Sequence, residues 1–422
     1  MDFELIIILV VSVISVFLFP ISIIFLSKLH KKKLVSILLL YVLFKLPIVA
    51  AREILSPVYT HLFFEIDYVL FAVLLNLVEV ISFVIFFVLY SFILNKISFV
   101  RMRSFIPNID LYNRNYILLF STAAIFSFLL LTIPNFGLIE WLLSPRDGYQ
   151  FGRSGAGLEY ALFLTLSGIF IFFLAFKSIN SKIFTRFLLI LTAFFIAYLT
   201  GSKGFIYETF IAVGIILYFY KKINFRHLIA ATPVVIGLLL INLFSRMDIV
   251  EFIAILEYFD FYKNSATFYT YFFENNNPYE YGLIQAGSFW DLVPRAFYES
   301  KPFFYGEALL VKEIYPFLEA GHTPGFGGPV GEYVDFGILG VVFSGMFNIT
   351  TFIYALFWRL LSFSNDDSLP IDSFKIDQKL ALIILVSPGF LTFFSFPFNY
   401  FLFAIILLLL IIPFFRFRRI NA

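Results

Sequence analysis

Long apolar runs separated by short polar joints dominate this chain. A bilayer crossing needs roughly 20 apolar residues in a helix. On that measure the pattern predicts about eleven spans, over residues 4–27, 34–50, 67–94, 115–133, 157–176, 186–200, 205–220, 228–244, 335–360, 380–396 and 398–415. One interval breaks the pattern. Residues 245–334 are polar and end in a Gly/Pro-rich run that begins at His322 and leads to Glu332 and Asp335. The chain therefore divides into a helical part at 1–244 with eight spans, a loop at 245–334, and a helical part at 335–422 with three. The glycines and prolines of Pro324–Gly331 exclude a regular helix. Irregular backbone at a membrane is tolerated only against protein or water, so a lined cavity is expected there.

Composition hardens this reading. Of 422 residues, 61% are hydrophobic and 14% charged, and the mean hydropathy is +0.94. A soluble domain is about half apolar and a quarter charged, so the expected class is an all-α, polytopic integral membrane protein. Cysteine is absent, which excludes disulfides, thiolate metal sites and cysteine nucleophiles. The start, Met1-Asp2-Phe3-Glu4, lacks the basic region of a cleaved signal peptide, so the first helix is expected to be retained.

Charge sets the expected orientation. Twenty of the thirty Lys and Arg residues fall in alternate connections, among them Lys31–Lys33, Lys221-Lys222 and Arg418-Arg419. The other short connections hold only Arg52, Arg146, Arg153 and Lys203. By the positive-inside rule the N-terminus is extracytoplasmic, the C-terminus is cytoplasmic, and 245–334 is an extracytoplasmic loop. That loop carries twelve acidic and five basic residues. It is not a general polyanion surface, no nucleic-acid partner is expected, and any anion site must be local. Its aromatic segments, such as Tyr258–Tyr262 and Phe268–Phe273, read first as amphipathic helices anchored at the interface. Stacking against a sugar ring is the second reading.

The few outer cations are the residues that could carry chemistry. Arg153 sits among Gly152, Gly155 and Gly157 at a helix start, where close backbone approach and free N–H groups suit an anion; an interfacial arginine that snorkels is the plainer reading. Lys203 lies in the turn Gly201-Ser202-Lys203-Gly204, and Arg246 follows the eighth span beside Asp248. Arg295 and Lys301 come later in the loop, an arginine offering phosphate a bidentate fork and a lysine a point charge. His322 could act as acid, base or phosphate donor. Glu332 and Asp335, three apart, can share one helical face; steadying that helix start is the alternative role. Lys45 and Glu79 are the few charges inside spans. Only His61 and His322 of the four histidines face outward, which speaks against a metal site. No cofactor is expected.

This layout resembles the Wzy-type oligosaccharide repeat-unit polymerases of O-antigen and capsule synthesis. The matching pieces are Arg153-Ser-Gly-Ala-Gly157, Gly201-Ser-Lys-Gly204, Ser245-Arg246 and the segment from His322 to Gly337. The resemblance implies a GT-C-like glycosyltransferase architecture in the bacterial cytoplasmic (inner) membrane. It implies metal-independent transfer of a growing glycan from undecaprenyl diphosphate to a sugar hydroxyl on a second undecaprenyl-diphosphate-linked oligosaccharide, at the outer face. Arg153, Lys203, Arg246, Arg295 and Lys301 would then bind the diphosphate, with His322 and Glu332 as candidate catalytic groups. Lys203 stands where relatives often carry Arg, which keeps the cation and loses the fork. The implied partners are the lipid-linked donor and acceptor, the bilayer, a chain-length-regulating membrane protein and a flippase. An O-antigen ligase would share the donor, and a flippase or transporter of lipid-linked oligosaccharides would share the membrane layout.

Overall fold

The computed structural model describes residues 3–32, 36–64, 66–99, 114–149, 156–220, 222, 226, 260–287, 290, 298, 300–302, 304–316, 325–362, 376–388 and 417–419. These residues are almost wholly helical. The first part runs α1 (Phe3–Leu29), α2 (Ile37–Ala50), a π-helical turn (Ala51–Leu55), α3 (Ser56–Phe63) and α4 (Val69–Lys96). It continues with β1 (Ile97–Phe99), α5 (Arg114–Asn135), α6 (Leu138–Leu143), α7 (Pro145–Asp147), α8 (Gly157–Ile179), α9 (Ile183–Leu199) and α10 (Lys203–Phe219). The loop contributes α11 (Phe261–Glu274), α12 (Leu283–Gly287) and α13 (Glu307–Ile314). After it come α14 (Val330–Phe347), α15 (Ile349–Leu361), α16 (Ile376–Val386) and β2 (Phe417–Arg419), which pairs antiparallel with β1.

Five helical stretches among the described residues are long and apolar enough to cross a membrane: Phe3–Leu29, Val69–Lys96, Arg114–Asn135, Glu159–Ile179 and Val330–Leu361. Ile183–Leu199 is a shorter apolar helix. The expected span at 228–244 and the last at 398–415 lie outside the described residues. Two expected spans are not simple rods. The one expected at 34–50 runs on through the π-helical turn into α3. The one expected at 335–360 starts earlier, at Val330, is kinked at Phe336 and Gly337, and restarts at Ile349, where the Asn348 side chain caps Thr350 N–H at 2.9 Å.

Several hydroxyls inside the long helices donate to a carbonyl of their own helix, as an apolar surround favours. Ser15 donates to Val11 O, Thr132 to Phe128 O and Ser178 to Ala175 O. Two large apolar cores and two smaller ones result among the described residues, the large ones as follows. One joins Ile37–Phe44 of α2, Phe172 and Phe176 of α8, Ile211–Leu217 of α10, and Trp358 of α15. The other joins Ile8 of α1 and Val69–Leu75 of α4 with Tyr262–Phe272 of α11, Leu310 of α13 and Val330–Val341 of α14. The loop is thus folded into the second core. Tyr262, Phe268, Tyr269 and Phe272 are buried against protein, with Phe71 edge-on to Tyr269 at 5.0 Å. In α11 the aromatic face therefore serves packing, and the exposed Tyr281 remains as an outward ring.

α4 carries the assembly, packing against α1, α11, α14 and α15. It approaches α14 closely at Gly345, where an added Cβ would stand 2.5 Å from Phe83 N. Gly345→Leu should force the two helices apart at a cost of about 1–3 kcal/mol, the usual scale for overpacking. A lower melting temperature in detergent, at unchanged helix content, is the expected readout.

Candidate functional site

The site is built where the π-helical turn, α4 and α14 meet the folded loop. The backbone of residues 325–329 is held there by side chains of α11. Asn264 donates to Gly325 O at 3.0 Å, and Ser265 both donates to Gly327 O and accepts from Gly327 N–H, each at 2.8 Å. Gly327 has no room for a side chain, because an added Cβ would lie 2.6 Å from the Tyr262 ring. Arg52 donates to Phe326 O at 3.1 Å, and its guanidinium lies 5.0 Å from the centre of the Phe261 ring. Residues 325–329, the described part of the Gly/Pro run before α14, therefore form a fixed, irregular cradle.

Below the cradle lie four glutamates from four elements. Glu53 pairs with Arg52 at 3.1 Å and accepts from Asn76 at 3.0 Å and from the Tyr262 hydroxyl at 2.6 Å. Burial, then the Glu53 carboxylate, holds the Tyr262 hydroxyl well above its usual pKa, so it stays a donor. Glu79 accepts from Ser344 at 3.0 Å. Glu332 accepts from the Gln285 side chain, and Glu307 accepts from Gly331 N–H. The fields of Glu332 and Arg52 both reach Glu79 and Glu307. Glu53, Glu79 and Glu332 are half-buried residues and Glu307 is an exposed one, so the four form a partly open polar recess. Among the described residues, no group of three or more His, Asp or Glu side chains is arranged to hold a metal ion.

Glu332, a candidate catalytic group, belongs to this recess. Asp335 steadies a helix start, but that of α12 rather than that of its own helix, the one expected from the sequence. It is fully buried and accepts from Ile284 N–H at 3.0 Å and Gln285 N–H at 2.8 Å, capping α12. It therefore fastens the loop to α14. Asp335→Ala should cost about 1.5–3 kcal/mol for each charge-assisted bond lost. Faster proteolytic cleavage near Leu283–Gly287, with the long helices intact, is the expected result.

Lys203 stands apart, as the first residue of α10 behind the Ser202 cap, which accepts from Phe205 N–H at 3.3 Å. Its turn is buttressed by the segments that flank Arg153. Trp141 donates to Leu199 O at 2.8 Å, and Tyr160 donates to Thr200 O at 2.9 Å. Arg146 reaches Gly201 O at 3.4 Å. Gly201, at φ +67°, is required, since an added Cβ would lie 2.2 Å from Pro145 O. Lys301 lies before α13 with its ammonium 4.7 Å from the Tyr305 ring centre. Arg153, Arg246, Arg295 and His322 lie outside the described residues.

Lys45 and Glu79 are not isolated charges. Lys45 is paired with Glu208 at 3.2 Å, tying α2 to α10. Sequence reasoning missed Arg52, Glu53 and Glu307 as members of the site. Asn76 and Glu79 did carry a signal, being two polar residues three apart on an otherwise apolar helix. Glu307 carried none, because its neighbour Glu332 is 25 positions away in the chain.

A bundle containing five helical stretches of membrane length among the described residues, with a polar recess between helices and loop, defines a membrane protein. The chain is 30% identical over 222 residues to the O-antigen polymerases of Salmonella typhimurium and Salmonella typhi. The match covers 49% of this chain and 52% of each relative, so the chain spans about half the length of the curated relatives it matches. The resemblance to repeat-unit polymerases read from Arg153, Lys203 and the Gly/Pro run thus agrees with the names of these relatives. No protein-family model matches the chain, and no solved structure does.

Proposed function

We propose that the protein is a repeat-unit polymerase of O-antigen or capsular polysaccharide. The similarity to the two O-antigen polymerases carries this reading. The full chain would have about eleven spans in a GT-C-like arrangement in the cytoplasmic membrane, with the N-terminus extracytoplasmic and the C-terminus cytoplasmic. Residues 1–244 and 335–422 would form the scaffold, and 245–334 the extracytoplasmic cover.

In the proposed reaction a hydroxyl of the acceptor repeat unit attacks the anomeric carbon of the donor glycan. The bond from that carbon to undecaprenyl diphosphate breaks, and the diphosphate leaves with the electron pair. Charge developing on the leaving group needs positioned cations. Lys203 at the start of α10, with Arg153, Arg246, Arg295 and Lys301, would supply them without a metal. Glu332 or His322 would face the attacking hydroxyl. A chain-length-regulating membrane protein and a flippase would work beside it.

The test is reconstitution with purified lipid-linked repeat unit alone. Extension into a ladder supports the polymerase. A strict need for a lipid A-core acceptor would make it a ligase, and movement across the bilayer without product would make it a flippase.

Arg153→Ala and Lys203→Ala should each lower the extension rate by about 10²–10³, the scale for losing one positioned donor, while Lys203→Arg keeps most of it. His322→Ala should also shorten the ladder strongly. Densitometry of the ladders at equal protein in the membrane measures all four variants.

A further inference from the structure

The proposed reaction leaves without a task a cavity of about 360 Å³, walled by α11, α12, α13 and the start of α14. That volume lies in the range of small-ligand clefts, about 300–1,000 Å³. The floor is apolar. Phe268 and Phe272 of α11, Ile284 of α12, Leu310 of α13 and Val334 of α14 are buried there. The rim is polar, with Tyr271, Asn277, Glu280 and Glu313. Both glutamates are exposed residues, so the mouth opens to solvent.

Hydrogen bonds hold the walls in place. Glu280 N–H donates to Val334 O at 2.9 Å, which pins the rim to α14. Asn277 N–H donates to Phe272 O at 3.0 Å, closing the end of α11. The Tyr271 hydroxyl donates to the Glu313 carboxylate at 3.1 Å, linking α11 to α13. Asp335, next to Val334, caps α12. Walls tied in this way spare a ligand the cost of ordering them.

The lining narrows the occupant. Among the described residues no lysine or arginine lines the cavity. Lys312 of α13 lies with its ammonium 5.5 Å from the Phe304 ring centre instead. Two carboxylates without a cation repel a phosphate or diphosphate. They would also lose hydration against a plain hydrocarbon such as a prenyl tail, which offers them no donor. The molecule that fits has an apolar face for the floor and donors along an edge for carboxylates, which only accept when ionised. A sugar ring has both, with C–H groups on a face and hydroxyls around the edge.

We propose that this cavity is a glycan subsite that seats one sugar ring, its C–H face on the apolar floor and its hydroxyls donating to Glu280 and Glu313. This rests on the polymerase reading, which supplies the glycan, and adds a place where a repeat unit is held away from the reacting bond. The seat adjoins the glutamate recess along three elements. Val334 stands two positions after Glu332 on α14, and Leu309 two positions after Glu307 on α13. From α12, Ile284 lines the cavity while Gln285 donates to Glu332. The aromatic segment Phe268–Phe273 thus has two uses. Tyr269 packs into the core, and Tyr271 lines the sugar seat. No bond is made or broken there; the seat binds, and it selects sugars whose hydroxyls meet two carboxylates.

The test uses the full chain in nanodiscs. The probe is the oligosaccharide freed by mild acid from the lipid-linked repeat unit. Calorimetry gives its Kd, and extension in proteoliposomes gives kcat and KM for the lipid-linked unit. Glu280→Gln and Glu313→Gln should each weaken binding by about 3–10-fold, the scale of one hydrogen bond, and raise KM more than they lower kcat. Leu309→Trp, which fills the cavity, should abolish binding of the oligosaccharide. Glu274→Gln, which removes an exposed acid at the end of α11 outside the cavity, should match the wild type. No binding by the wild type, or wild-type Kd and KM in all three cavity variants, would overturn the proposal. So would undecaprenol binding that Leu309→Trp removes while the oligosaccharide still binds. If Leu309→Trp does not fold, the two surface glutamine variants decide alone, and an unchanged Kd in both overturns it. A wild type that binds the oligosaccharide and makes no ladder sinks the polymerase reading and leaves the sugar seat standing.

Discussion

A carboxylate set among apolar helices is stable only where other polar groups meet it, and Glu53 is where three elements do so. Its oxygens take Arg52 from the same π-helical turn, Asn76 from α4 and the Tyr262 hydroxyl from α11. The hydrogen bonds to this charged acceptor are worth about 1.5–3 kcal/mol each. Together they fix the start of α11 against α4. Arg52 then extends the same network to the Phe326 carbonyl and so to the Gly/Pro cradle. Without Glu53 the loop would keep its aromatic core but lose the register that sets the cradle over the recess.

A second ion pair sets the relative height of the two polar regions. Lys45 and Glu208 join α2 and α10, and the first core packs the start of α2 with the end of α10, so the helices run antiparallel. Arg52 lies seven residues beyond Lys45, about 10 Å along a helix, and Lys203 lies five residues before Glu208, about 8 Å. Both cations therefore rise to similar levels at the same end of the bundle. The turn at Lys203, buttressed by Trp141, Arg146 and Tyr160, and the glutamate recess under residues 325–329 share that end.

The recess also accounts for the acidic balance of the loop. The excess of carboxylates argued only that anion binding must be local. Glu307 and Glu332 give part of that excess a use as hydrogen-bond acceptors, from Gly331 N–H and from the Gln285 side chain. Asp335 takes a different part in the same region, holding the N–H groups of α12 and thereby the loop.

Local composition governs everything that the sequence determined alone. Apolar runs of membrane length can only be helices that satisfy their own backbone, so the helical class and most of the described spans were legible. The break was legible over residues 325–329, because glycine and proline act on the backbone where they stand, although the helix resumes at Val330, before the expected end of the break at Gly331. Asn76 and Glu79 were half legible, as one polar face on an apolar helix. The recess was not. Glu53, Glu79, Glu307 and Glu332 are brought together from four distant stretches, and no local period records which helix faces which. Packing alone decided that Asp335 would be a cap, that Lys45 would find Glu208, and that Glu307 would meet Glu332 beneath the cradle, because those encounters are set by the shapes of the buried faces.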